Sequence, residues 1–117
     1  MKTRHLLILF IAIVAMALAG CSRQHARAYS GAQEYAPTNP DRVEVLYSFP
    51  EREHDRIGAI NVRHYRPGWG EPTVEDARGR IQRTAAEIGA HAVVIQNTQA
   101  TADRQIHITG EAIRWVE

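Results

Sequence analysis

The residue with the clearest chemical purpose in this sequence is Cys21, the one cysteine of the 117-residue chain. It follows Leu18-Ala19-Gly20, and Ala19 and Gly20 are small enough for the pocket of a signal peptidase. A cysteine thiolate is a nucleophile, and at such a position it takes up diacylglycerol. The pattern therefore predicts cleavage between Gly20 and Cys21 and lipid attachment at Cys21.

The segment before this cysteine is typical of a secretory signal. Lys2 and Arg4 make a positive start, and residues 6–18 form an unbroken apolar run. A run of roughly 13 residues suits a signal-peptide core and is too short to cross a bilayer of ~30 Å as a helix. Together with Cys21 it resembles a bacterial lipobox, so we expect residues 1–20 to be a lipoprotein signal peptide. The alternative is an ordinary secretory signal with a chance cysteine at the cleavage point.

Lipid on Cys21 implies a location at a membrane. Alkyl chains contribute about 0.8 kcal/mol for each buried methylene, so several chains anchor a protein stably. Ser22 follows the cysteine, and by analogy with known lipoprotein sorting a residue other than Asp there favours the outer membrane over the inner membrane. We expect a periplasm-facing protein of the outer membrane, with no cofactor beyond the diacylglycerol and N-acyl lipid on Cys21.

Composition limits the remaining chain. After residues 1–20 are removed, Cys21 is the one thiol left, so no disulfide is available to the mature domain. The formal net charge is +1 and no basic run occurs, which argues against a nucleic-acid partner. Residues 21–40 lack apolar periodicity, and we expect the lipidated cysteine and a flexible tether of about 20–25 Å reach. Residues 41–117 are then a periplasmic domain.

Apolar periodicity predicts the elements of this domain. Alternation is typical of strands over 43–49 and 57–64, which we expect to pair as a hairpin, and of two later strands over 90–96 and 104–116. Gly58 inside the second strand indicates a bulge or a close approach by another element.

A helix is predicted over 74–88. Thr73 and Asp76 have capping-box spacing, and Gly89 suits the left-handed position that ends a helix. Apolar residues recur at three- and four-residue steps, at Val74, Ala77, Ile81, Ala85 and Ile88. The sequence predicts an α+β fold, a small two-layer β-β-α-β-β domain with one helix packed on a four-stranded sheet.

Several segments between residues 57 and 113 carry a family resemblance. They are Ile57-Gly58-Ala59-Ile60, Ala77-Arg78, Ala85-Ala86-Glu87-Ile88-Gly89-Ala90-His91-Ala92-Val93-Val94 and Gly110-Glu111-Ala112. This stretch resembles the RcsF-like family, outer-membrane sensor lipoproteins of an envelope-stress pathway, and more distantly the YbjQ-type family. The resemblance implies a small α+β fold and a role in the cell envelope. RcsF-type domains carry paired cysteines that this chain lacks, so disulfide-dependent sensing is not carried over.

Catalysis has little support in the sequence. The serines do not lie in a nucleophile-elbow motif, and Glu53-His54-Asp55 occupies a charged turn without a cleft. We therefore expect that the protein is not an enzyme.

His91 and His107 flank the third and fourth strands and would face each other if those strands pair. YbjQ-type relatives have been proposed to bind heavy metals, although no histidine here has the short spacing of a zinc site.

An aromatic residue in a loop is the best candidate for a contact. Trp69 lies in a glycine- and proline-bounded loop with Arg66 and Glu71, where it would anchor a partner, enter the membrane interface or fold back onto the sheet. We expect a non-catalytic interaction or sensing domain that contacts an outer-membrane or cell-wall protein there. The alternative is a metal- or small-ligand-binding domain that uses His91 and His107.

Overall fold

The computed structural model describes residues 3–8, 24–29 and 33–116. Residues 3–8 are helical, and within the described ranges no helix combines the length and apolar character needed to span a membrane. The predicted cleavage and lipidation site at Gly20 and Cys21 lies outside the described residues.

One helix packs against a five-stranded mixed sheet, which confirms the α+β prediction with one strand more than expected. The elements are β1 (Gln24–Ala28), a 3-10 turn (Pro40–Arg42), β2 (Glu44–Leu46), β3 (His54–Tyr65), α1 (Val74–Glu87), β4 (Ala92–Ala100) and β5 (Gln105–Trp115). The strand order is β1-β3-β5-β4-β2. The β2–β4 pair is parallel and the other three pairs are antiparallel.

The predicted hairpin between the first two strands of the domain is wrong. β2 pairs with β4, with Val45 opposite Val93, whereas β3 pairs with β5 and β1. The chain between Leu46 and His54 therefore passes from one edge of the sheet to an interior strand. Alternation identifies the buried face of a strand and leaves its neighbour undetermined, and this is why the sequence suggested the wrong pair.

The segment predicted as a flexible tether also differs from expectation. Gln24–Ala28 forms β1, which pairs with β3 from Gln24 opposite Val62 to Ala28 opposite Gly58. Further along, the Thr38 hydroxyl donates a hydrogen bond to the Ala90 carbonyl oxygen at 2.6 Å. The prediction of a tether over 21–40 is therefore corrected at these positions. β1 is mostly exposed on both faces, so its sequence carries no apolar pattern.

The predicted helix is confirmed and ends one residue earlier than expected. The Thr73 hydroxyl accepts a hydrogen bond from the Asp76 backbone N–H, and the Asp76 carboxylate accepts one from the Thr73 N–H at 2.8 Å. Gly89 follows with φ 83°. The predicted apolar stripe supplies Ala77, Ile81 and Ala85, each fully buried in the main core against one face of the sheet.

The second face of the sheet has a smaller buried cluster. Ala92, Val94 and Ile113 are buried there, and Leu46 and Trp115 pack against them. α1 covers the opposite face, so side chains alternate along β5 between the main core and this second face. We call the second face the helix-free face.

Gly58 lies where the sequence indicated a bulge or a close approach, and both occur. The register between β3 and β5 shifts between Arg56 and Gly58. A Cβ at Gly58 would lie 2.5 Å from the Arg27 carbonyl oxygen and 2.8 Å from Ile88 Cδ1. Glycine at this position lets β1 and the end of α1 approach β3 closely.

Candidate functional site

The most exposed large hydrophobic side chain among the described residues belongs to Trp69, at 94 %. It lies in the loop between β3 and α1, flanked by Gly68 (φ 96°) and Gly70 (φ 90°). Trp69 therefore does not fold back onto the sheet, and the capping alternative is wrong. A fully exposed indole leaves a large apolar surface in water, as expected at a contact site.

Arg66 holds this loop in place rather than pointing freely outward. Its Nη1 donates to Asp76 Oδ2 at 3.2 Å and to the Glu71 carbonyl oxygen at 3.3 Å. Hydrogen bonds from the Thr73 backbone N–H and hydroxyl, together with the charge of Arg66, lower the pKa of Asp76. Arg66 and Asp76 thus tie the loop to the first turn of α1, while the Glu71 side chain is exposed.

The start of β1 lies at the same end of the sheet as Trp69. Gln24 is level with Val62, and β3 ends three residues later at Tyr65, which is 50 % exposed. Arg80 of α1 donates a hydrogen bond to Gln24 Oε1 at 3.3 Å. We call this region the loop end; it comprises Gln24, Tyr65, residues 66–72 and the β4–β5 turn at 101–104.

The predicted facing of His91 and His107 is wrong. β4 and β5 do pair, but His107 lies opposite Gln99, whereas Ala92, the neighbour of His91, lies opposite Ile113. These positions are six residues apart along β5, or about 20 Å at 3.3 Å per residue. One ion therefore cannot bind both histidines. Within residues 3–8, 24–29 and 33–116, no group of three or more metal-ligating side chains is present.

His91 instead borders a depression of about 400 Å³ near the edge of the sheet. Its Nδ1 accepts a hydrogen bond from the Trp115 backbone N–H at 3.0 Å. Arg42 and Arg52 also line the depression, and the Arg52 guanidinium lies 4.6 Å from the centre of the Trp115 ring. Two guanidinium groups, with no acidic residue in the described lining, favour an anion. Composition gave no signal for this site because its residues come from four separate segments.

The acid–base triplet Glu53-His54-Asp55 is not assembled as a unit. His54 begins β3, and its Nδ1 lies 2.8 Å from the Arg52 carbonyl oxygen. Its ring stacks on Phe49 with the centroids 6.0 Å apart and meets Trp115 edge-on. The imidazole thus helps to pack the chain where it enters β3.

Sequence reasoning missed a buried carboxylate on the helix-free face. Glu111 is 6 % exposed; its Oε1 accepts a hydrogen bond from the Tyr29 hydroxyl at 2.9 Å, and its Oε2 accepts one from Gln96 Nε2 at 3.2 Å. Arg56 Nη1 lies 3.8 Å from Oε2. Burial and the neighbouring Glu111 raise the pKa of Tyr29. Alternation along β5 places Glu111 on this face, but its cover depends on Tyr29, which follows the unpredicted β1.

The likeness of this chain to known proteins lies in its fold. No protein-family model and no curated protein sequence matches it. Among solved structures it is similar to the Francisella virulence factor FvfA in its orthorhombic crystal form, with 16 % identity and a TM-score of 0.55. The match covers 79 % of this chain and 97 % of that one. At this identity the likeness concerns the fold alone, a small α+β domain.

Proposed function

We propose that this chain is an outer-membrane-anchored lipoprotein of the cell envelope whose α+β domain is a non-catalytic interaction or sensing module. The observation that carries the proposal is the sequence Leu18-Ala19-Gly20-Cys21 at the end of an apolar run, three positions ahead of β1. The resemblance of residues 57–113 to RcsF-like domains supports the sensing role. The core of the domain is formed by apolar side chains of α1 and the sheet.

The contact surface of this module is the loop end. Trp69 presents a large rigid aromatic surface, the type of side chain that dominates binding energies at interfaces. The Arg66–Asp76 ion pair fixes the loop to α1, so less conformational entropy is lost when the loop is bound. Trp69, Arg66 and Glu71 therefore form the proposed contact region, with Arg66 as its support.

Lipid attachment is the first test. The full chain is produced in a bacterial host with its own signal, the membranes are fractionated, and the intact mass of the protein is measured beside a Cys21→Ala control. We expect a mature protein that starts at Cys21, carries diacylglycerol and an N-acyl chain, and fractionates with the outer membrane. An unmodified Cys21, or retention of residues 1–20, would refute the anchor.

The interaction role has a separate test. Crosslinking and affinity purification of the tagged, full-length lipoprotein from native envelopes should recover a reproducible envelope component that the Cys21→Ala variant fails to recover. Recovery of the same proteins with both variants would show that the contacts are nonspecific.

A second candidate function, binding of a small anionic ligand, is favoured by the depression at His91. Because a ligand that binds the folded state stabilises it by RT ln(1 + [L]/Kd), saturating ligand at about 100 times its Kd raises stability by ~2.7 kcal/mol. We expect small carboxylates or phosphate to raise the melting temperature of the full chain. Arg42→Gln should abolish the rise, and Arg78→Gln, on the outer side of α1, should leave it intact. An equal response of both variants would exclude the depression as the site.

A further inference from the structure

The proposed anchor and the observed β1 together limit how far the domain lies from the membrane. Cys21 and Gln24 are three positions apart, so their Cα atoms are separated by at most about 11 Å, even with the chain fully extended. A tether over residues 21–40 would allow about 20–25 Å. If Cys21 carries lipid, Gln24 lies within or beside the headgroup layer, which is roughly 5–8 Å thick on each side of the hydrocarbon core.

The location of Gln24 in the sheet determines which part of the domain is near the lipid. Gln24 is level with Val62, and β3 continues beyond that level to Tyr65. The β4–β5 turn is at the same end, because Tyr65 lies opposite Gln105. The Trp69 loop follows directly after β3. The short link therefore places the loop end near the membrane, with Trp115 at the opposite end of β5, opposite His54.

The side chains of the loop end suit the membrane interface. Trp69 and Tyr65 are exposed at 94 % and 50 %, and these two residue types are enriched at the headgroup level because each combines an apolar ring with a polar group. Arg63 and Arg104 are exposed nearby, and arginines are attracted to an anionic membrane surface. Glu71 is exposed beside them, so the aromatic contact and the anchor dominate, with a modest electrostatic share.

We propose that the loop end rests on the lipid surface, with Trp69 inserted at the headgroup level and Tyr65 beside it. This inference rests on the proposed lipid anchor and names the partner of the proposed contact region. The lipid on Cys21 and the Trp69 indole would then attach the domain to the membrane at two points, one beside β1 and one after β3. Two attachment points fix the orientation of the domain on the lipid surface. The far end with Trp115, opposite His54, is directed away from the lipid.

The test uses the two tryptophans of the chain as matched reporters. Full-length lipidated protein is reconstituted into vesicles of phosphatidylethanolamine with a minor share of phosphatidylglycerol, with or without bromine on the acyl chains. Trp115→Phe leaves Trp69 as the reporter, and Trp69→Phe leaves Trp115. We expect brominated lipid to quench Trp69 several-fold more than Trp115, and reconstitution to reduce quenching of Trp69 by acrylamide several-fold.

The possible failures are distinguishable because the intact mass of the same sample reports the lipid on Cys21. A lipidated, vesicle-bound protein in which brominated lipid does not quench Trp69 refutes the orientation and leaves the anchor standing. A protein without lipid on Cys21 refutes both. If Trp69 is protected from acrylamide in native envelopes but is not quenched by brominated lipid in vesicles, Trp69 contacts a protein instead of lipid, and the proposal is refuted.

Discussion

The attachment of β1 to the sheet depends on Gly58, and the variant Gly58→Ala tests it. The added Cβ would lie 2.5 Å from the Arg27 carbonyl oxygen, 2.8 Å from Ile88 Cδ1 and 3.2 Å from Ala28 Cα. The Ile88 methyl group is the end of a flexible side chain and can rotate away. The two β1 atoms belong to the backbone, so the whole strand must move.

The size of the effect is limited by how strongly β1 is held. An added methyl group in a closely packed site lowers the free energy of unfolding by about 1–3 kcal/mol when the neighbouring atoms cannot move apart. β1 has five mostly exposed residues; each net hydrogen bond contributes about 0.5–1.5 kcal/mol, and ordering each residue costs about 1–2 kcal/mol. The two contributions largely offset each other, so β1 is docked by a small net free energy, comparable with the roughly 1–3 kcal/mol cost of the added methyl group. We therefore expect Gly58→Ala to release β1 while the remaining sheet and α1 stay folded.

Native-state hydrogen exchange of the full chain measures this directly. In Gly58→Ala, amides of Gln24–Ala28 should lose protection while those of β4 and β5 keep theirs. The melting temperature should fall by about 4–8 °C for each kcal/mol lost. Gly79→Ala is the matched control, because a Cβ there meets Arg83 Nη1 at an ordinary 3.5 Å. Unchanged protection in β1, or equal loss across β3 and β5, would refute the reasoning.

Three further predictions concern single side chains. Gly79→Ala should raise the free energy of unfolding by about 1 kcal/mol through helix propensity, measured by urea denaturation; a lower value would show that Gly79 has a packing role. Burial lowers the pKa of His64 from 6.5, so the unfolded chain binds a proton that the folded chain does not. The contribution of neutral His64 to the free energy of unfolding should be fully present above about pH 6.5 and decrease as the pH falls below that value. In a pH series of melting temperatures, His64→Gln should therefore show a smaller decrease below pH 6.5 than the unmodified chain. The same decrease in both proteins would show that His64 is not the titrating group. Tyr29→Phe removes a hydrogen bond to buried Glu111 and should lower stability by about 1–3 kcal/mol, whereas an unchanged urea midpoint would show that water replaces the hydroxyl.

Local sequence patterns identified the parts of the fold that local forces determine. Thr73 and Asp76 form the predicted capping box, and Gly89 adopts the predicted positive φ. The close approach at Gly58 was also predictable, because a glycine inside a strand often marks a bulge or a close approach by another backbone. The capping box and the helix end depend on residues within a few positions of one another, whereas Gly58 indicated a close approach without identifying Arg27 and Ile88 as the neighbours.

The missing parts depend on contacts between distant segments. β3 has the predicted alternation, whereas the strand predicted over 43–49 ends at Leu46, and Tyr47 and Phe49 are exposed. β2 and β3 were expected to be neighbours, but β5 and β4 lie between them in the sheet. β1 is an exposed edge strand held by backbone pairing, and backbone pairing leaves no apolar pattern in the sequence. The contact of Tyr29 with Glu111 and the distance between His91 and His107 follow from the register of the strands. The sequence does not give that register, so neither feature could be predicted from it.

Neutron reflectometry of the full-length lipidated protein on a supported bilayer tests most directly whether the domain is held against the membrane. With a link of three positions between Cys21 and Gln24, protein density should begin within the headgroup layer, without an intervening water layer. A water-filled gap of about 20–25 Å, the reach of a flexible tether, would contradict it.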